Sequence, residues 1–137
     1  MTLAELNGYD KQQFVAAVGG VFDSACWAAD RAWRKRPFAS FDDLSTKLIQ
    51  EVQAASTDEQ LALLQAAAPA KDSPRDLAEK YRKKFGFPFI YAVKEGEAPA
   101  GVEALNRRLK STADQEVQIS LGHTFRIARF RLENIVG

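Results

Sequence analysis

Phe87-Pro88-Phe89-Ile90-Tyr91-Ala92-Val93 decides the fold class. It is the one segment of the 137-residue chain with strand-like content, a short run of aromatic and β-branched residues. Its proline suits an edge strand at most, and the chain offers no second strand to pair with it. The segment therefore reads as extended and buried, not as part of a sheet. Without strands alternating with helices there is no parallel sheet to build. The sequence predicts an all-α protein: a single-domain bundle of about seven helices over residues 1–137, with one short extended aromatic segment.

The sequence on either side supports this. Before the segment, Ser73-Pro74 places an N-cap and then a proline at the first helical position, where the missing N–H costs nothing. The helix Arg75–Phe85 that follows should turn Leu77, Ala78 and Tyr81 inward and end at Gly86. Further upstream, Ser56 with Glu59, or Thr57 with Gln60, opens a leucine-rich helix that Pro69 ends. Ser40 with Asp43 resembles a weaker capping box ahead of Leu44, Leu48, Ile49 and Val52. A helix after Asp23 or Ser24 runs into Pro37 and is stopped there. The first helix starts near Asp10 and should stop at Gly19-Gly20. Downstream, Lys94–Pro99 reads as a loop, Ala100–Lys110 as a helix, and Thr112 as the cap of a long last helix over about residues 113–136.

Composition narrows the function. Hydrophobic residues make up 46% and charged residues 27% of the chain, and the net charge is +1. That is a globular composition without the basic excess of a phosphate-tracking surface. No apolar run approaches the roughly 20 residues of a membrane span, and Met1–Glu5 has no signal-peptide pattern. The expectation is a cytoplasmic protein with neither nucleic-acid nor membrane partners. One cysteine, Cys26, and one histidine, His123, leave no internal disulfide and no metal site without carboxylates. Cys26 reads as a small buried hydrophobe, and Trp27, Trp33, Phe14 and Phe22 read as core. Lys80, Arg82, Lys83 and Lys84 read as a solvated face near a helix C-terminus. Phosphate loops, dinucleotide fingerprints and nucleophile elbows are missing.

On the last helix, Val117, Leu121, Thr124, Ala128, Arg131 and Ile135 recur at steps of four and three, which makes one seam. Arg131 thus falls among residues that should face the core. Two readings stand: the side chain snorkels, with its head in water, or its guanidinium points into a pocket as a fork for an anionic or ureido group. His123 lies one position off the seam, without a partner that would make it a catalyst.

Several segments in order carry a resemblance. They are Gly19-Gly20-Val21-Phe22, Arg36-Pro37-Phe38-Ala39-Ser40, Glu59-Gln60-Leu61-Ala62-Leu63-Leu64, Tyr81-Arg82-Lys83-Lys84-Phe85-Gly86-Phe87-Pro88-Phe89, Arg107-Arg108-Leu109, and Arg126-Ile127-Ala128-Arg129-Phe130-Arg131-Leu132. Over nearly the whole chain they resemble OHCU decarboxylase, the 2-oxo-4-hydroxy-4-carboxy-5-ureidoimidazoline decarboxylase of urate degradation. The resemblance implies a helical, cofactor-free carboxy-lyase that acts on a small ureido-imidazoline and gives (S)-allantoin. It implies a site built from a histidine in a His-Pro motif, a Glu-Gln pair on a following helix, main-chain groups of the extended segment, and an arginine of the last helix.

The correspondence to this chain is partial. Arg131 matches the family arginine, and Phe89, Ile90 and Val93 match the extended segment; these four are the expected substrate-binding residues. Ala67 or Ala68 stands at the histidine's position, in Ala66-Ala67-Ala68-Pro69. The Glu-Gln pair has no counterpart, because the chain passes almost directly from Pro69 to Ser73-Pro74, where the family inserts a loop and a helix. No catalytic residue is identified. The expectation is an impaired decarboxylase, possessing the family fold without the inserted helix. The alternative is a family member that no longer catalyses, or a deliberately shortened chain, serving as a binding or scaffold protein. A homodimer that covers the floor left by the missing helix is also expected.

Overall fold

The computed structural model describes residues 1–23, 25–94 and 96–136. Among them are eight α-helices and no strand: α1 (Leu3–Asn7), α2 (Lys11–Val18), α3 (Trp27–Trp33), α4 (Phe41–Gln53), α5 (Thr57–Ala66), α6 (Arg75–Phe85), α7 (Val102–Leu109) and α8 (Ala113–Ile135). A 3₁₀ turn, Gly19–Phe22, joins α2 to the approach to α3. The all-α expectation holds, and residues 87–93 run extended without a strand partner among the described residues. None of the described helices is long and apolar enough to cross a membrane.

Local hydrogen bonding starts most helices where the sequence signals them. Asp10 and Gln13, Ser56 and Glu59, and Thr112 and Gln115 each form a reciprocal capping box. The Ser56 pairing therefore prevails over Thr57 with Gln60. Gln60 instead donates to the Val52 and Gln53 carbonyls at the end of α4, at 2.9 and 3.3 Å. Gly86 ends α6 at φ +80°, a left-handed conformation that an L side chain rarely adopts.

Four local expectations need correction. Ser40 accepts from Asp43 N at 3.0 Å, but the Asp43 carboxylate turns to Ala39 N and Lys47, so the box is half made. Gly19-Gly20 ends the α-helix at Val18, as expected, and the chain then winds on as a 3₁₀ turn that buries Val21 and Phe22. Gly19 fits there because a Cβ would meet Val15 Cγ1 at 3.2 Å. Asp23 does not cap α3, which has no side-chain cap, and Ser24, the other candidate, lies outside the described residues. Pro74, not Ser73, is the N-cap of α6. The Ser73 hydroxyl donates to Ala70 O at 3.1 Å and ties the turn before the helix. The short α1 carries no periodic signal; one buried residue, Leu6, anchors it.

α8 runs through the middle of the bundle, packing on α2, α4, α5 and the 3₁₀ turn, while α6 pairs with α7. The core includes Phe14 stacked on Phe38 at 5.6 Å, with Leu44, Leu48, Val52, Leu64, Phe87 and Leu132. Phe14 and Phe22 are core as expected. Trp27 and Trp33 are only partly buried, their indoles covered by Arg31 and Arg36 at 4.6 and 4.1 Å. Cys26 is exposed, against expectation, because it sits at the entry to α3 and not on that helix's buried face of Ala28, Ala29 and Ala32. Phe14→Ala should lower the unfolding free energy by about 3–5 kcal/mol. Urea unfolding followed by circular dichroism measures it, and a loss below about 1 kcal/mol would contradict the packing described.

Candidate functional site

A cleft of about 390 Å³ opens between the α5–α6 connection, the extended segment and α8. Ala68, Pro69, Tyr91, Val93, Ile127 and Arg131 line it, with Lys71, Asp72, Lys94 and Glu97 among its polar residues. A smaller recess beside it is lined by Val21, Ala67, Ala68, Ile90, Thr124 and Arg131. The structure thus brings Arg131 and Val93 into one cleft with Ala68, and places Ile90 and Ala67 in the adjoining recess. Phe89 lies elsewhere. It is 2% exposed, its ring packs on Tyr81 and Arg108 at 5.3 and 4.9 Å, and it lines neither space.

Arg131 takes an intermediate course between the two readings of its sequence position. Its side chain is 35% exposed, and Nη1 donates to Val21 O at 3.1 Å and to Asp23 Oδ1 at 3.0 Å. Among the described residues its hydrogen bonds run through Nη1 alone. The 3₁₀ turn therefore orients the guanidinium by one edge while the residue lines the cleft. Asp23, which the sequence suggested as a cap, serves as the acceptor.

Beneath the extended segment lies a buried polar network that the sequence did not single out. Arg108 Nε donates to Glu116 Oε1 at 2.5 Å, and the Tyr81 hydroxyl donates to the same oxygen at 2.6 Å. Arg108 also donates to Ser120 Oγ and to Ile90 O, each at 3.0 Å. Glu116 is fully buried, and its Oε2 has no partner among the described residues. Burial, with the hydrogen bond to Glu116, pushes the Tyr81 hydroxyl up to about 12, so it stays protonated and donates. One signal was available. Glu116 and Ser120 continue at four-residue steps into Thr124 and Ala128 of the seam, a ridge that widens the buried face towards the start of α8, and all four are buried. A long helix packed on two sides buries more than one row.

His123 sits behind Tyr91, outside the cleft lining. Its ring stacks on Tyr91 at 4.7 Å and 25°, and its Nδ1 accepts from Ala92 N at 3.0 Å. Burial, then the positive charges of Arg108 and Arg126, lowers it from 6.5 to about 4. At neutral pH it is an uncharged acceptor, not an acid. Lys80, Arg82, Lys83 and Lys84 are exposed, as the sequence implied.

Comparison with known proteins places this geometry. A family model described as OHCU decarboxylase matches residues 7–71 and 66–133. A protein of Halalkalicoccus jeotgali named 2-oxo-4-hydroxy-4-carboxy-5-ureidoimidazoline decarboxylase is 35% identical over 161 positions, covering 98% of this chain and 92% of that one. A uric acid degradation bifunctional protein of Bacillus subtilis is 34% identical, covering 98% of this chain and 33% of its own length. The crystal structure of an (S)-allantoin synthase shares the fold, with a TM-score of 0.84 at 24% identity. It covers 99% of this chain, which spans 54% of that structure's chain. The alignment of 161 positions against a chain of 137 residues leaves at least 24 positions facing a gap here. The two stretches matched by the family model meet at residues 66–71, on the rim of the cleft.

Two outcomes test the site's chemistry. Arg108→Met strands the Glu116 charge and should cost about 3–5 kcal/mol of stability. Adding Glu116→Gln should recover part of that loss in urea unfolding, whereas a further drop would show the two groups are not coupled. For His123, the unfolded chain takes up a proton below about 6.5 while the folded chain does so only near 4. Its contribution to stability is therefore complete above pH 6.5 and lost as the pH falls towards 4, with solvent screening of the half-buried ring reducing its size. His123→Asn, which cannot charge, should flatten the fall in melting temperature across that window. A parent and variant with parallel curves would contradict the assignment.

Proposed function

Because this chain belongs to the OHCU decarboxylase family, we propose that it receives the ureidoimidazoline carboxylate of urate degradation in the cleft at Arg131 and decarboxylates it with impaired turnover. The observation that carries this is the meeting of Arg131, Val93 and Ala68 around one cleft. A guanidinium held along one edge presents a fork suited to a carboxylate or a ureido group. In the reaction, the bond from the ring carbon to the carboxylate breaks and CO₂ leaves. The electron pair stays on the carbon, which then takes a proton to give allantoin. Arg131 orients the substrate, and the Tyr91–Val93 wall supports it. Neither Ala67 nor Ala68 can deliver the proton, and His123 is uncharged and turned to Ala92 N. A positioned acid or base is worth about 10²–10⁴-fold, so its loss leaves turnover slow but not zero.

The ligand is a small molecule in a protein of near-neutral charge, and we place it in the cytoplasm without nucleic-acid or membrane partners and without a cofactor. A homodimer covering the open face beside the shortened connection completes the reading. A second reading, a family member that binds without catalysing, is favoured by the at least 24 aligned positions that face a gap here and by the break between the two family-model matches at residues 66–71, on the cleft's rim. It expects a protein partner in a pull-down and no shift of melting temperature with allantoin.

The decisive experiment generates the substrate in situ from urate and follows circular dichroism as (S)-allantoin accumulates. The expected rate is at least about 10²-fold below that of the Halalkalicoccus jeotgali relative at equal concentration. A comparable rate refutes the impairment. In an allantoin titration, Arg131→Ala should weaken binding by about 10–100-fold, the worth of a charge-assisted hydrogen bond. Unchanged affinity removes Arg131 from the site.

A further inference from the structure

The extended segment gives Tyr91 and Val93 to the cleft lining. Two side chains outside that lining, one from α7 and one from α8, reach its backbone. Arg108 Nη1 donates to Ile90 O at 3.0 Å, and the Ala92 amide donates to His123 Nδ1 at 3.0 Å. Between those two anchor points sits Tyr91, a lining residue of the cleft, with the His123 ring flat against it at 4.7 Å. Backbone groups of a buried strand are normally taken by a neighbouring strand; here α7 and α8 supply side chains instead. Neither Arg108 nor His123 lines the cleft.

We propose that His123 is a positioning residue of the cleft: as an uncharged acceptor it fixes the Ala92 amide and the Tyr91 ring, while Arg108 fixes Ile90, and together they set the wall against which the ligand lies. This rests on the cleft being the ligand site. The role requires Nδ1 to carry no proton, since a protonated ring would turn an N–H towards the Ala92 N–H. The charged groups that bear on His123 are Arg108 from α7 and Arg126 and Glu116 from α8. The two cations oppose a third positive charge. Glu116, which favours it, is already engaged by Arg108 and Tyr81. The wall should therefore hold through neutral pH and loosen only on acidification.

Two substitutions separate acceptor from ring. His123→Asn keeps an acceptor near the Nδ1 position, and His123→Phe keeps a ring and loses the acceptor. In allantoin titrations at pH 7.5, we expect His123→Phe to bind at least tenfold more weakly, with a melting temperature within a few degrees of the parent. His123→Asn should stay within about threefold of the parent. Parent-like binding by His123→Phe overturns the proposal, and so does an equal loss in both variants. Should His123→Phe fail to fold, pH decides: parent affinity should hold down to about pH 5 and fall from there through the folded value of about 4 more steeply than that of His123→Asn, and parallel curves overturn the role. If the parent binds no allantoin, the ligand-site reading fails on its own. The Ala92 amide then reports on the wall by hydrogen exchange: slow in the parent and His123→Asn with at least tenfold acceleration in His123→Phe supports the positioning role, and equal exchange in all three overturns it.

Discussion

An extended segment inside a helical protein has nowhere to send its backbone hydrogen bonds. Residues 87–93 are largely buried, and leaving their polar groups unpaired would cost about 1–3 kcal/mol each. The structure meets the constraint with side chains and with the connection beside it: Arg108 takes Ile90 O, His123 takes Ala92 N, and Ala70 N donates to Phe89 O. Each contact brings its own requirement. A buried guanidinium needs a counter-charge, which Glu116 supplies from α8. A buried carboxylate needs further donors, which is why Tyr81 points inward from α6. α6 pairs with α7, and the hydrogen bonds of Tyr81 and Arg108 to Glu116 tie both to α8 beneath this one segment.

The cleft is a consequence of the same arrangement. Its wall includes Tyr91 and Val93 of the segment, whose backbone Arg108 and His123 hold. Its rim is the short connection from Ala67 to Ser73, held by the Ala70 and Ser73 hydrogen bonds. Arg131 arrives from α8, oriented by the 3₁₀ turn through Val21 and Asp23. The proposed ligand cleft thus stands beside Ala67 and Ala68, whose methyl side chains have no proton to give.

Local signals were legible where one residue's chemistry decides the outcome. Asp10, Ser56 and Thr112 each cap a helix because the partner three residues on can bond back, whatever the rest of the chain does. Gly86 ends α6 because that backbone turn suits glycine. The signals that failed were those with competitors. Asp43 found Ala39 N and Lys47, Asp23 found Arg131, and Ser73 found Ala70 O. Cys26 and the two tryptophans misled for a different reason, since burial depends on which neighbours arrive and not on residue type alone.

By itself, the sequence determined the helical class, most helix boundaries, the position of Arg131 on a packed face, and the alanines beside Pro69. All of these rest on periodicity, capping chemistry or identity within a few residues. Only the tertiary structure decided that Arg131 shares a cleft with Ala68 and Val93, that Phe89 turns away from it, and that Arg108, Glu116 and Tyr81 converge in the core. It also turned the single histidine from an isolated residue into the acceptor behind the cleft wall. The hydrogen bonds among these groups join residues 8 to 35 positions apart. Their geometry is set by how helices pack around a segment that must borrow its hydrogen bonds, and no local pattern encodes that distance.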